Sequence, residues 1–142
     1  MHNLSEICEE FRGQLTGPRL LLIAHISIGL DQSRFDLAKQ QIGCEICTHF
    51  PGVTILESAG FWRTDGQLKL LGESFSVLEE QVATVLLQIH PDQQKLALKT
   101  LSKSVQAAAE KYGFLARYIH AEIIHSNAMH LDLEKLTTLK VI

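Results

Sequence analysis

Residues 19–29 read RLLLIAHISIG, and residues 114–125 read FLARYIHAEIIH. Both stretches are rich in β-branched and apolar residues and alternate with a period of two, so both predict β-strands. The first is apolar on both faces over Leu20, Leu21, Leu22, Ile23 and Ala24. A strand apolar on both faces belongs in the middle of a sheet. Each strand carries a histidine among apolar neighbours, His25 in the first and His120 in the last.

Working outward, Leu4, Ile7, Cys8, Phe11 and Leu15 recur at helical spacing and predict a short amphipathic helix over residues 3–14, stopped by Gly17-Pro18. After the first strand, Asp31 to Ser33 opens a helix over 33–49, with Ser33 and Asp36 spaced as in a capping arrangement. Its apolar stripe is Phe35, Ala38, Ile42 and Ile46, and Pro51-Gly52 ends it. Residues 53–62 form a second strand. Asp65-Gly66 then predicts a hairpin turn into a strand-like run at 67–71. A third strand covers 82–90; residues 76–81 read equally as its extension, a bulge or a helical turn. His90-Pro91-Asp92 begins a helix over 92–112, with proline in the first turn, a stripe of Ala97, Leu101, Val105, Ala108 and Tyr112, and Gly113 as its stop. The last strand covers 115–125, and in the tail 126–142 the leucines Leu131, Leu133, Leu136 and Leu139 fit helix and strand alike.

The order β-α-β-β-α-β is the split βαβ, ferredoxin-like pattern of the α+β class: an antiparallel sheet with both helices on one face. The first and third strands are central, and the last lies beside the first. The chain of 142 residues reads as a single domain, with a core at 19–125 and short terminal segments. The run VTILESAGFWRTDGQL at 53–68, Glu73, and LLQIHPD at 86–92 leading into a helix together resemble a family of small uncharacterised bacterial proteins of ferredoxin-like fold. The similarity covers residues 19–125. It implies the fold and carries no established chemistry.

Alternation sorts the strands into faces. Leu20, Leu22, Ala24, Ile26 and Ile28 form one face of the first strand, and Leu21, Ile23, His25, Ser27 and Gly29 the other. Ala83, Val85, Leu87 and Ile89 oppose Val82, Thr84, Leu86, Gln88 and His90. Ile119, Ala121 and Ile123 oppose Tyr118, His120, Glu122 and Ile124. The purely apolar sets belong under the helices. The mixed sets share the open face, where Leu21, Ile23, Val82, Leu86 and Ile124 predict an apolar patch of the kind that marks an interface or pocket.

On that face His25, His120 and Glu122 have the ingredients of general acid–base work and are the candidate catalytic groups. Tyr118, Gln88 and Thr84, with Trp62 and Arg63 before the predicted turn, are the candidate ligand-binding groups. The plainer reading of the same residues is a set of polar groups hydrogen-bonded at a subunit interface or under the terminal helices. Cys44 and Cys47 form a CxxC, but late in a helix rather than at a helix start where a thiolate is stabilised. Thr48 interrupts the haem-attachment pattern, and no second CxxC completes a zinc site. His120 and His125 fall on opposite faces of a regular strand. No metal site and no cofactor is expected.

Hydrophobic residues are 46% and charged residues 20%, an ordinary globular balance. The net charge of −3 gives no footprint for nucleic acid or for an anionic membrane. The apolar runs are too short to span a bilayer, and the first fifteen residues lack the apolar core of a secretory signal. The three cysteines form no even-numbered disulfide framework. The chain therefore reads as a small cytoplasmic binding or interaction module acting as a homodimer. The alternative is a small-molecule enzyme with a His/Glu pocket on the open sheet face.

Overall fold

In the computed structural model, residues 3–10, 13–63, 76–116 and 119–136 are described. The elements run α1 (Leu4–Glu10), β1 (Gln14–Ser27), α2 (Gln32–Ile46), β2 (Thr54–Arg63), β3 (Val77–Ile89), a 3-10 turn (Pro91–Gln93), α3 (Gln94–Tyr112), β4 (His120–His130) and α4 (Leu133–Leu136). Among the described residues the strands form one sheet in the order β2-β3-β1-β4, with every neighbouring pair antiparallel. The domain is α+β with the ferredoxin-like arrangement: β1 and β3 are central, and β4 lies beside β1.

The core is the apolar layer that alternation places under the helices. Leu20, Leu22, Ala24, Ile26 and Ile28 of the β1 segment and Ala83, Val85, Leu87 and Ile89 of β3 meet Phe35, Ala38, Ile42 and Ile46 of α2 and Ala97, Leu101, Val105 and Ala108 of α3. Each helix thus buries one stripe at 3–4 residue spacing. Both lie on one face of the sheet because only the even-numbered side of β1 is uniformly apolar. Phe114, just after α3, closes the cluster.

Each α-helix that frames the core has a local reason to begin or end. Asp31 caps α2: Oδ1 accepts the Arg34 backbone N–H at 3.0 Å, and Oδ2 pairs with Arg34 Nε at 2.6 Å. The cap is therefore Asp31, where the sequence spacing pointed to Ser33. At the start of α3 the Gln93 side chain accepts the His90 backbone N–H at 3.0 Å. Gly113 ends α3 at φ 79°, and its N–H donates to the Ala109 carbonyl. Lys39 Nζ ties α2 to the sheet edge through Glu57 at 2.6 Å.

The largest departures from the sequence reading are at the ends of the paired strands β1 and β4. The N-terminal helix is described over Leu4–Glu10, and Gly17-Pro18 lies inside β1 instead of before it. The strand survives because β4 also runs on, to His130, so that Gln14 pairs with His130 and Pro18 with Asn127. A register shift between Leu15 and Gly17, with Gly17 at φ 88°, absorbs the irregularity. Pro18 is tolerated because β1 pairs with β3 only from Leu20 onward, leaving one side of the strand open there. The last strand is accordingly His120–His130, later than the expected 115–125. Residues 77–81 extend β3, which pairs from Val77 opposite Arg63. The expected turn at Asp65-Gly66 and the run 67–71 lie outside the described residues.

Candidate functional site on the open sheet face

The register lays the open face out as rungs that cross the sheet. One rung is Leu56, Thr84, His25 and His120, running from β2 through β3 and β1 to β4. The next is Thr54, Leu86, Ile23 and Glu122. Beyond it Gln88, Leu21 and Ile124 form a third, and on the other side Ser58, Val82 and Ser27 a fourth. The rung with two imidazoles and a threonine therefore lies near the middle of the sheet, and the rungs beside it mix apolar with polar side chains.

His25 is half-buried, and its Nδ1 lies 3.0 Å from Thr84 Oγ1. That contact crosses from β1 to β3 and fixes the ring. On the other side the His25 and His120 rings stack, with centroids 6.0 Å apart and planes inclined by 19°. His120 is exposed, and its Nε2 lies 3.4 Å from Glu122 Oε1, one pleat along β4. The face thus joins Thr84, His25, His120 and Glu122 in a chain from β3 to the β4 edge. Such a chain can hold a proton, accept one, or bind a ligand that offers both a donor and an acceptor.

The other candidates disperse. Gln88 is four residues from Thr84 along β3, about 13 Å away at the usual rise of a strand, and lines a separate cleft with Arg19, His90 and His130. Trp62 is on the open face, but Arg63 follows it and belongs to the helix side, so the two do not share one pocket mouth. Tyr118 lies outside the described residues. A Cβ built on Gly60 would sit 2.7 Å from Trp62 Cζ2 and 2.7 Å from Val82 Cγ2, so the indole lies over Gly60 against Val82.

That contact corrects the expected apolar patch. Val82 retains only 3% of its exposure and Thr84 8%, so neither offers free surface. The exposed members are Leu56 at 49%, Trp62 at 46%, Leu78 at 48% and Ile124 at 47%, while Leu21, Ile23 and Leu86 are half-buried between them. Leu56, Trp62 and Leu78 enter the patch through the β2–β3 pairing. The alternation of 53–62 was the available signal for Leu56, and the glycine two residues before Trp62 was the signal for its folded-back ring.

Clefts elsewhere on the surface involve other residues. One of about 310 Å³ lies between the end of α2 and α3, lined by His49, Lys99, Thr100 and Lys103. Another of about 320 Å³ holds Cys44 and Cys47 against Val53 and Ile55. All three cysteines are free thiols, Cys8 buried and the other two exposed. Among the described residues, no group of three or more His, Cys, Asp or Glu side chains is placed to hold a metal ion. No helix of the described residues is long and apolar enough to cross a membrane.

No family model and no curated protein sequence matches the chain. Solved structures of similar shape include a Bacillus cereus protein related to NIF3, at 7% identity and TM-score 0.43 over 89% of this chain and 33% of that one. CutA from Synechococcus elongatus is similar at 11% identity and TM-score 0.39, over 87% of this chain and 90% of its own. A phage SAM lyase in complex with S-methyl-5'-thioadenosine is similar at 12% identity and TM-score 0.45, over 84% and 94%. The chain spans about a third of the length of the NIF3-related protein. These likenesses are of shape alone, and the fold assignment stands on strand order and register.

Proposed function

We propose that the protein is a small binding module that self-associates as a homodimer through its open sheet face, with the stacked histidines at the centre of the contact. The observation that carries this reading is the composition of the face. Leu56, Trp62, Leu78 and Ile124 are each about half exposed on it, and Leu21, Ile23 and Leu86 fill the spaces between. α2 and α3 occupy the opposite side. A second copy is the occupant this chemistry favours, because the face from the Trp62–Leu78 rung to the Leu21–Gln88 rung carries only Glu80 and Glu122 as full charges, both toward its borders. The apolar positions between them can meet their own image, as a two-fold contact requires. The free thiols of Cys8, Cys44 and Cys47 support a reducing, cytoplasmic location. Membership of the family of small bacterial proteins resembled at 53–68 and 86–92 belongs to the same proposal.

Sedimentation at micromolar concentration tests the dimer. The expected result is twice the 15.9 kDa chain mass for the native protein, and a monomer for Leu56→Glu combined with Ile124→Glu. Both positions are exposed, so the double variant should keep its fold. A native protein that sediments as a monomer would overturn the proposal.

A second reading rests on the line Thr84, His25, His120, Glu122, hydrogen-bonded at its two ends and joined by the stacked rings in its middle. A small organic ligand held between two such faces would meet an imidazole able to move a proton. Under this reading His120→Ala abolishes the response to a ligand found by thermal-shift screening and leaves the melting temperature in place. Loss of the dimer instead, with no ligand effect, would return the histidines to a purely interfacial role.

A further inference from the structure

At the far end of the open face, β1, β3, β4 and the start of α3 enclose a cleft of about 300 Å³. Its polar lining is Arg19 from β1, Gln88 from β3, His90 and Gln93 from the turn into α3, and His130 from the end of β4. Among the described residues no aspartate or glutamate lines it. We infer that this cleft binds a doubly charged oxyanion, a phosphate group either free or carried by a small molecule.

The donors converge by design of the backbone. Arg19 is half-buried and has no carboxylate partner among the described residues; only its Nη1 is engaged, donating to the Pro18 carbonyl at 2.9 Å. The rest of the guanidinium fork is available, and such a fork matches two oxygens of a phosphate. Gln93 uses its side-chain oxygen on the His90 backbone N–H, which leaves its amide protons to donate. His90 and His130 each bring at least one ring N–H, and both nitrogens donate when the ring is charged. The extension of β1 and β4 beyond the helices is what brings His130 to this end of the sheet: Gln14 pairs with His130 beside the Gly17 irregularity. A cavity of this size is at the small end of ligand pockets and suits a phosphate with a short organic group.

The titratable groups that line the cleft are Arg19, His90 and His130.

Titration of the full chain with sulfate, inorganic phosphate and glycerol phosphate, followed by NMR of the histidine rings and by calorimetry, tests the inference. Sulfate is doubly charged at neutral pH and serves as the reference oxyanion. One saturable site per chain is expected, with shifts at His90 and His130. Arg19→Gln should weaken it by about tenfold or more, the scale of a lost charge-assisted hydrogen bond, while Arg19→Lys retains part of it. His130→Gln, at an exposed position, should also weaken binding and serves if Arg19→Gln fails to fold. Tighter binding of glycerol phosphate than of phosphate identifies a phosphorylated small molecule as the ligand; equal binding identifies the free anion. Binding that never saturates, or that is equal in native and Arg19→Gln or His130→Gln protein, would overturn the site.

Discussion

Gly60 has no room for a side chain, because Trp62 and Val82 already fill the space where its Cβ would point. Gly60→Ala must therefore lift the indole or push Val82 into the sheet. Overpacking of this kind costs about 1–3 kcal/mol, and the chain has a single tryptophan to report it. A lower melting temperature together with a red-shifted, more quenchable fluorescence is expected; an unchanged spectrum would mean that the ring does not rest there. At this scale the sequence was informative about faces. His25, Thr84, His120 and Glu122 share one side because successive residues of a strand point to opposite sides, and that period is set by the backbone. The same rule separates Arg63 from Trp62. What alternation does not encode is which neighbour leans over which residue, so the burial of Val82 beside the Trp62 ring was illegible.

Among the elements, α2 depends on Asp31. Its carboxyl is held at about 2, below the ordinary 3.8, first by the Arg34 backbone N–H and then by the Arg34 side chain and Ser33. A carboxyl with a lowered folded pKa stabilises the fold fully above its unfolded value and loses that contribution as the pH falls through the folded value. Asp31→Ala should thus lower the melting temperature at neutral pH, with a difference from native protein that shrinks below about pH 4 and vanishes near pH 2. A difference that persists unchanged in acid would assign the loss to something other than the charge. In β1, Gly17 at φ 88° holds the register shift that lets the strand continue through Pro18. Gly17→Ala should cost about 1–2 kcal/mol, the penalty of a left-handed conformation for an L-residue. Gly29→Ala, where a Cβ meets nothing within 4 Å and φ is not left-handed, should instead add about 0.4–1 kcal/mol. Equal effects at the two glycines, read from chemical denaturation, would remove the bulge from the account. Gly17-Pro18 reads as a stop in isolation, and only the pairing with 127–130 of β4 makes it part of a strand.

For the whole molecule, stability resides in the single layer between the sheet and the two long helices. Leu101 of α3 and Ile42 of α2 are buried in it. Leu101→Ala should cost about 2–5 kcal/mol, as large-to-small changes in cores do. Leu37→Ala, on the exposed side of α2, should cost little. A similar loss at both positions in denaturant melts would argue against a single core. The opposite face of the sheet is half apolar and, among the described residues, has no such layer; it is the face on which self-association and the histidine chain are both proposed.

The sequence by itself determined the element order, the face that each strand buries and hence the α+β, ferredoxin-like arrangement. These follow from short-range rules: period two in strands, three to four in helices, and the punctuation of proline, glycine and aspartate. It also brought His25 and His120 to one face, because the topology makes their strands neighbours. Only the tertiary structure decided where strands end, since β1 and β4 prolong each other through hydrogen bonds between residues more than a hundred positions apart. It alone gathered Arg19, Gln88, His90, Gln93 and His130 around one cleft. No local pattern links those residues, because a pocket is a property of distances between strands and not of the order of residues along one.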